Sequence, residues 1–91
     1  MVLCFEAVVK GQVQGVGYRM FATREAMKLS LDGWVRNERD GSVRVRARGP
    51  QERLHEFLVR LRQGPPWGQV DSIELDWCQD DPGLGPFQVV Y

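Results

Sequence analysis

The stretch DGWVRNERDGSVRVRARG, residues 32–49, decides the fold. Its second half, SVRVRARG at 42–49, is the cleanest alternation in the chain. Val43, Val45 and Ala47 fall on one side and Arg44, Arg46 and Arg48 on the other. A period of two marks a half-buried strand. The first half, DGWVRNE, reads as another strand with Val35 and Asn37 on one face. Between them, RDG at 39–41 supplies an Asp-Gly step that accepts the positive φ of a tight hairpin. A β-hairpin therefore sits in the middle of the chain, and the question is what flanks it.

On its N-terminal side, YRMFATREAMKLS places Tyr18, Phe21, Ala22, Ala26 and Leu29 at helical spacing. Before that helix, LCFEAVVK alternates, with Phe5, Ala7 and Val9 toward the core. On the C-terminal side, GPQERLHEFLVRLRQG is a second helix. Its apolar stripe is Leu54, Phe57, Leu58 and Leu61, and Gly64 with Pro65 stops it. QVDSIELDWC follows as a strand with Ile73, Leu75 and Trp77 inward. DDPGLGP is a loop, and FQVVY a short terminal strand. The order is β-α-β-β-α-β plus one strand. Two right-handed crossovers interleaved in this way predict an α+β fold, a ferredoxin-like α/β sandwich. Its sheet is expected to be antiparallel in type, with both helices on one face. In that topology the third strand lies between the first and the second, so the C-terminal ends of the first two share one edge of the sheet. Asn37 sits at that edge, facing the helix layer.

With 91 residues the chain is expected to form one domain over 1–91. A formal net charge of zero gives no global pull toward nucleic acid or membrane. No apolar run is long enough to span a bilayer, and MVLCFEAVV lacks the basic start and long apolar stretch of a signal peptide, so a cytoplasmic protein is expected. Cys4 and Cys78 have no metal-ligand spacing. They fall on neighbouring antiparallel strands, close enough for a bridge to be conceivable, but a reducing cytosol favours two free thiols. His55, far from the shared edge, reads as a surface or packing residue, and Trp34, Trp67 and Trp77 as packing residues. The arginine stripe resembles a nucleic-acid face, but the neighbouring outward positions Glu6, Val8, Glu74 and Asp76 offer no aromatic for base stacking. Cross-strand ion pairs with Glu6 account for it better.

The segment KGQVQGVGYRM, residues 10–20, brings three glycines and an arginine to that same edge. Glycines permit conformations closed to other residues and let a ligand approach the backbone. The amides of residues 14–19 are able to curl around one anion, and the helix N-terminus adds unsatisfied N–H groups and partial positive charge. Arg19 adds a guanidinium that grips phosphate through two parallel hydrogen bonds. A plain strand-to-helix turn with a surface arginine is the alternative. The segment is no Walker loop, lacking Gly-Lys-Ser/Thr, and no dinucleotide fingerprint, lacking its spacing. No Asp, Glu, His and Cys cluster converges on it, so neither metal nor cofactor is expected.

GQVQGVGYR resembles the phosphate-binding signature of the acylphosphatases, GWVRNERDGSVRVRARGP resembles their second signature, and FQVVY their aromatic C-terminal end. The resemblance spans essentially the whole chain. It implies a small metal-free hydrolase that splits the carboxyl–phosphate anhydride of an acyl phosphate, and it implies a role for each matching residue. Gln14, Gly15, Val16, Gly17, Tyr18 and Arg19 would form the phosphate loop, with Arg19 on the phosphoryl group, and Asn37 would position the attacking water. Inorganic phosphate would be both product and competing ligand. The protein is expected to act as a monomer. The second reading, from a different class, is a non-catalytic anion-binding module of the same fold. For Asn37 by itself the plainer alternative is a hairpin-shoulder residue that satisfies backbone groups.

Overall fold

In a computed structural model, residues 1–91 form seven elements: β1 (Val2–Gln12), α1 (Tyr18–Lys28), β2 (Asp32–Asn37), β3 (Val43–Pro50), α2 (Gln51–Gln63), β4 (Gln69–Cys78) and β5 (Gln88–Val89). The expected order of elements is the observed one. The sheet runs β4-β1-β3-β2-β5. β3 is antiparallel to both of its neighbours, so β1 and β2 run the same way and end at the same edge. Register fixes the face of each residue. Val9 and Asn37 both stand opposite Val43, and Ala7 and Val35 both stand opposite Val45. Because Ala7, Val35 and Val45 are fully buried, Asn37 lies one step further along the same helix-facing side.

The core is the inward set. Phe5, Ala7, Val9, Val35, Val43, Val45 and Ala47 from the sheet meet Tyr18, Ala22 and Ala26 from α1 and Leu54, Phe57, Leu58 and Leu61 from α2. Phe57 stands between Phe5, at 6.2 Å between ring centroids, and Phe87, at 5.7 Å. Each large side chain buried in full contributes about 1.5–3 kcal/mol. An exposed ion pair contributes about 0–1 kcal/mol. The sandwich therefore rests on this core, and the charges on the other face do less.

That outer face carries the arginine stripe as a chain of pairs. Arg44 and Arg46 share Glu6, at 2.6 and 3.1 Å. Arg44 also reaches Glu38 at 2.7 Å, and Arg46 reaches Asp81 at 3.1 Å. Arg48 pairs with Asp80 and Asp32. Glu6 was expected; the contribution of Asp80 and Asp81 was not visible from strand alternation, because it comes from the loop after β4.

The same loop corrects the sheet. The terminal strand pairs in parallel with β2, so the sheet is mixed rather than wholly antiparallel. The reason is the path of the chain. β4 runs antiparallel to β1 and ends at Cys78, opposite Cys4 near the start of β1. The connection then passes along that end of the sheet, with Asp80 beside Arg48 and Pro86 bridged to Asp32. A strand that enters there at the outer side of β2 has to run the way β2 runs.

Two further expectations change. Trp67 is 85% exposed and is no packing residue; it sits in the turn after α2, where the chain has left the core. Trp77 faces inward as expected, 5.6 Å from Phe5 and 5.2 Å from His55, but it belongs to an edge strand and stays 42% exposed. The free thiols are replaced by a Cys4–Cys78 disulfide. The two cysteines are directly opposed across β1 and β4, with Cα atoms 5.2 Å apart, inside the range that a bridge requires. The pairing of the two strands is the one expected from the sequence; the free thiols were expected from compartment alone, and the bridged pair differs from that expectation. Thiol titration of the denatured, unreduced protein should find no reactive thiol, and two after reduction. Two thiols before reduction would show the bridge absent.

Candidate active site

At the end of β1 the chain turns through residues 13–17 into α1. Gly15 has φ +74° and Gly17 φ +81°, the left-handed region that other residues enter at a cost. A Cβ on either would meet no atom within 4 Å. Backbone conformation, not crowding, therefore calls for glycine at both, and the space above them is open to a ligand. Gly17 is the N-cap of α1. No side chain caps that helix and no acidic residue stands in its first turn. The first intrahelical bond runs from the Phe21 N–H to the Gly17 carbonyl, so the amides before it are left to other acceptors. A left-handed glycine pair leading into an uncapped helix is an anion-binding geometry.

Arg19 lies in that first turn and is half-buried. It forms no ion pair; its guanidinium rests over the ring of Tyr91 at 5.3 Å from the centroid. The parallel course of β5 delivers Tyr91 to this edge. The neighbouring loop residues divide into two roles. Val16 packs against the core. Tyr18 is buried, its hydroxyl donates to the Leu61 carbonyl at 2.8 Å, and burial pushes its pKa up. Its side chain therefore pins α1 to α2, and only its amide belongs to the loop. The side chain of Gln14 turns away from the loop as well: its Nε2 donates to the Glu38 carbonyl at 2.7 Å and to the Ser42 carbonyl at 2.9 Å. The β2–β3 turn is thereby held to the glycine loop.

Asn37 ends β2, immediately before that turn. Its Oδ1 is buried and accepts no hydrogen bond from the protein. A buried acceptor left unpaired costs about 1–3 kcal/mol, so such atoms are rare without a purpose. The side chain satisfies no backbone group of the hairpin through this oxygen, which goes against the shoulder-residue reading. The nearest carboxylate in sequence, Glu38, is committed elsewhere. Arg44 and then Arg36 hydrogen-bond to it and hold its pKa below the usual glutamate range. It is ionised and paired on the outer face, and so is no free base.

A model of the acylphosphatase family matches residues 5–89. The chain belongs to the acylphosphatase family. An acylphosphatase from Thermus thermophilus is 48% identical over 83 residues, covering 91% of this chain and 93% of the relative. One from Bacillus licheniformis is 39% identical over 98% of this chain and 99% of the relative. The crystal structure of the acylphosphatase from Bacillus subtilis superposes with a TM-score of 0.95 at 38% identity, covering 98% of this chain and 99% of that one. The ferredoxin-like sandwich read from the sequence is thus the fold of the family.

The glycine loop, Arg19 and Asn37 stand out in the sequence, and two features of the site do not. One is the Gln14 side chain as a link between the two signatures. The only signal for it was an amide residue placed just before the first left-handed glycine. The other is Tyr91 against Arg19, which depends on the direction of β5.

Proposed function

We propose that this acylphosphatase holds the phosphoryl group of an acyl phosphate in the 14–19 loop and attacks it with a water oriented by Asn37. The loop amides and the first turn of α1 donate to the equatorial phosphoryl oxygens, and Arg19 adds a two-pronged contact. Asn37 Oδ1 accepts a hydrogen bond from the water. The water oxygen bonds to phosphorus as the bond from phosphorus to the acyl oxygen breaks. The electron pair leaves on the carboxylate, one water proton passes to a phosphoryl oxygen and the other stays on the attacking oxygen, so a dianionic acyl phosphate and water give a carboxylate and dihydrogen phosphate. A carboxylate is a good leaving group, so phosphoryl transfer here needs positioning and donors more than a strong acid or base. The observation that carries the reading is the link between the two halves of the site: the left-handed glycine loop at the uncapped start of α1 is tied by Gln14 to the residue beside Asn37. All of these groups come from one chain, in keeping with a monomer acting as a single domain over 1–91.

Benzoyl phosphate is the test substrate, since its hydrolysis can be followed continuously. Turnover should be inhibited competitively by inorganic phosphate, which is both product and loop ligand. The loop and Asn37 offer no carboxylate or imidazole to a cation, so turnover should persist in excess chelator. Strict dependence on added magnesium would contradict this mechanism. A folded protein that binds phosphate without turnover would instead make it the non-catalytic module.

A further inference from the structure

We infer that Gln14 is a positioning residue that sets the separation between the phosphate loop and Asn37, an inference that rests on the function proposed above. The two halves of the site belong to different elements. The loop follows β1, Asn37 ends β2, and β3 lies between those strands. Across this divide Gln14 makes the only side-chain hydrogen bonds formed by residues 13–17, one to the residue after Asn37 and one to Ser42.

The turn does not need these bonds for its own satisfaction. The Glu38 carbonyl already accepts the Gly41 N–H at 3.2 Å, and the Ser42 carbonyl already accepts the Glu38 N–H at 2.9 Å. Each carbonyl has two lone pairs, and Gln14 fills the second. Losing Gln14 therefore orphans no backbone acceptor, and the turn closes as before. What goes is the tether on a loop whose two left-handed glycines have no neighbouring atom above them. Glutamine suits this role because one amide nitrogen carries two diverging protons and bridges two carbonyls, whereas a carboxylate of the same length donates none.

A double-mutant cycle on benzoyl phosphate turnover tests this. Gln14→Leu keeps the bulk and removes both donors. It should lower kcat by about 10- to 100-fold, the scale on which a misplacement near 1 Å acts. Its melting temperature should fall by less than about 10 °C, and it should remain folded. In an Asn37→Ala background the same change should lower kcat by less than about twofold, because the group being positioned is gone. Gln14→Glu should lose at least as much as Gln14→Leu, since its carboxylate donates to neither carbonyl and faces the two oxygens that Gln14 bridges. In parallel, the Asn37 side-chain amide signals in a 15N-edited NMR spectrum should shift in Gln14→Leu, a readout that survives even if the double mutant has no measurable rate. Wild-type kcat in Gln14→Leu, an equal loss in both backgrounds, or unshifted Asn37 signals would each overturn the inference. Failure of the proposed function is a separate outcome: it would appear as an inactive wild type, or as full turnover in Asn37→Ala itself.

Discussion

Arg19→Lys is expected to lower kcat/KM for benzoyl phosphate by about 10²- to 10³-fold, the scale seen when one preorganised donor to a developing charge is lost. The substitution keeps the positive charge. It removes the planar fork that meets two phosphoryl oxygens at once, and an ammonium offers only a point charge in its place. Folding should hardly notice. Arg19 pairs with no carboxylate, and its side chain rests on the ring of Tyr91, a residue 97% exposed. Such a contact contributes about 0.5–1 kcal/mol at an exposed site. The melting temperature should therefore stay within a few degrees of wild type while inhibition by phosphate weakens together with turnover. Loss in both is the signature of a group that holds the phosphoryl in the ground state and in the transition state. Activity within about twofold of wild type would move the phosphate site away from the 14–19 loop.

Most of the frame that places Arg19 is legible in the sequence, for a local reason. Val43, Val45 and Ala47 alternate with three arginines, so register and face follow from a period of two. The stripe Leu54, Phe57, Leu58 and Leu61 follows from the helical period, and all four are buried. What failed depends on contacts between distant segments. FQVVY has the composition of a strand, but nothing in five residues says which way it runs; that follows from where β4 ends and from the passage of residues 79–86 to the far edge. Trp77 alternates correctly, yet its exposure reflects the edge position of β4, which is a property of strand order. The opposition of Cys4 and Cys78 across 74 residues is legible from strand order; what the sequence does not carry is the redox state of the pair. The site divides in the same way. Glycines leading into a helix with Arg19 in its first turn mark the 14–19 segment as a candidate by type and spacing, although a plain strand-to-helix turn reads the same way. The bonds from Gln14 to two carbonyls 24 and 28 residues away carry no local signature. The unpaired Oδ1 of Asn37 carries none either, since pairing is a property of the packed molecule.

That unpaired oxygen makes Asn37 the position where binding and turnover should separate. Asn37→Ala is expected to leave phosphate affinity near that of wild type and to lower kcat by about 10²-fold or more, because the contact with the attacking water matters only as the reaction proceeds. Stability offers a second readout of the same atom. An unpaired buried acceptor is a cost to the fold, so removing it should leave the melting temperature unchanged or raise it. A hairpin residue serving backbone groups would instead lower it and leave the folded fraction fully active. Asn37→Asp tells orientation from basicity. The carboxylate is nearly isosteric and a better base, so it would restore turnover if the site lacked only a base. Its charge, however, would stand on the side of the sheet proposed to hold the phosphoryl group, and Glu38 next to it is already ionised. Asn37→Asp should therefore be slow and also weak in phosphate binding, a combination that Asn37→Ala does not share. Melting temperature, phosphate inhibition and kcat measured on both variants separate the three cases. Full turnover in a folded Asn37→Ala protein would remove Asn37 from the mechanism.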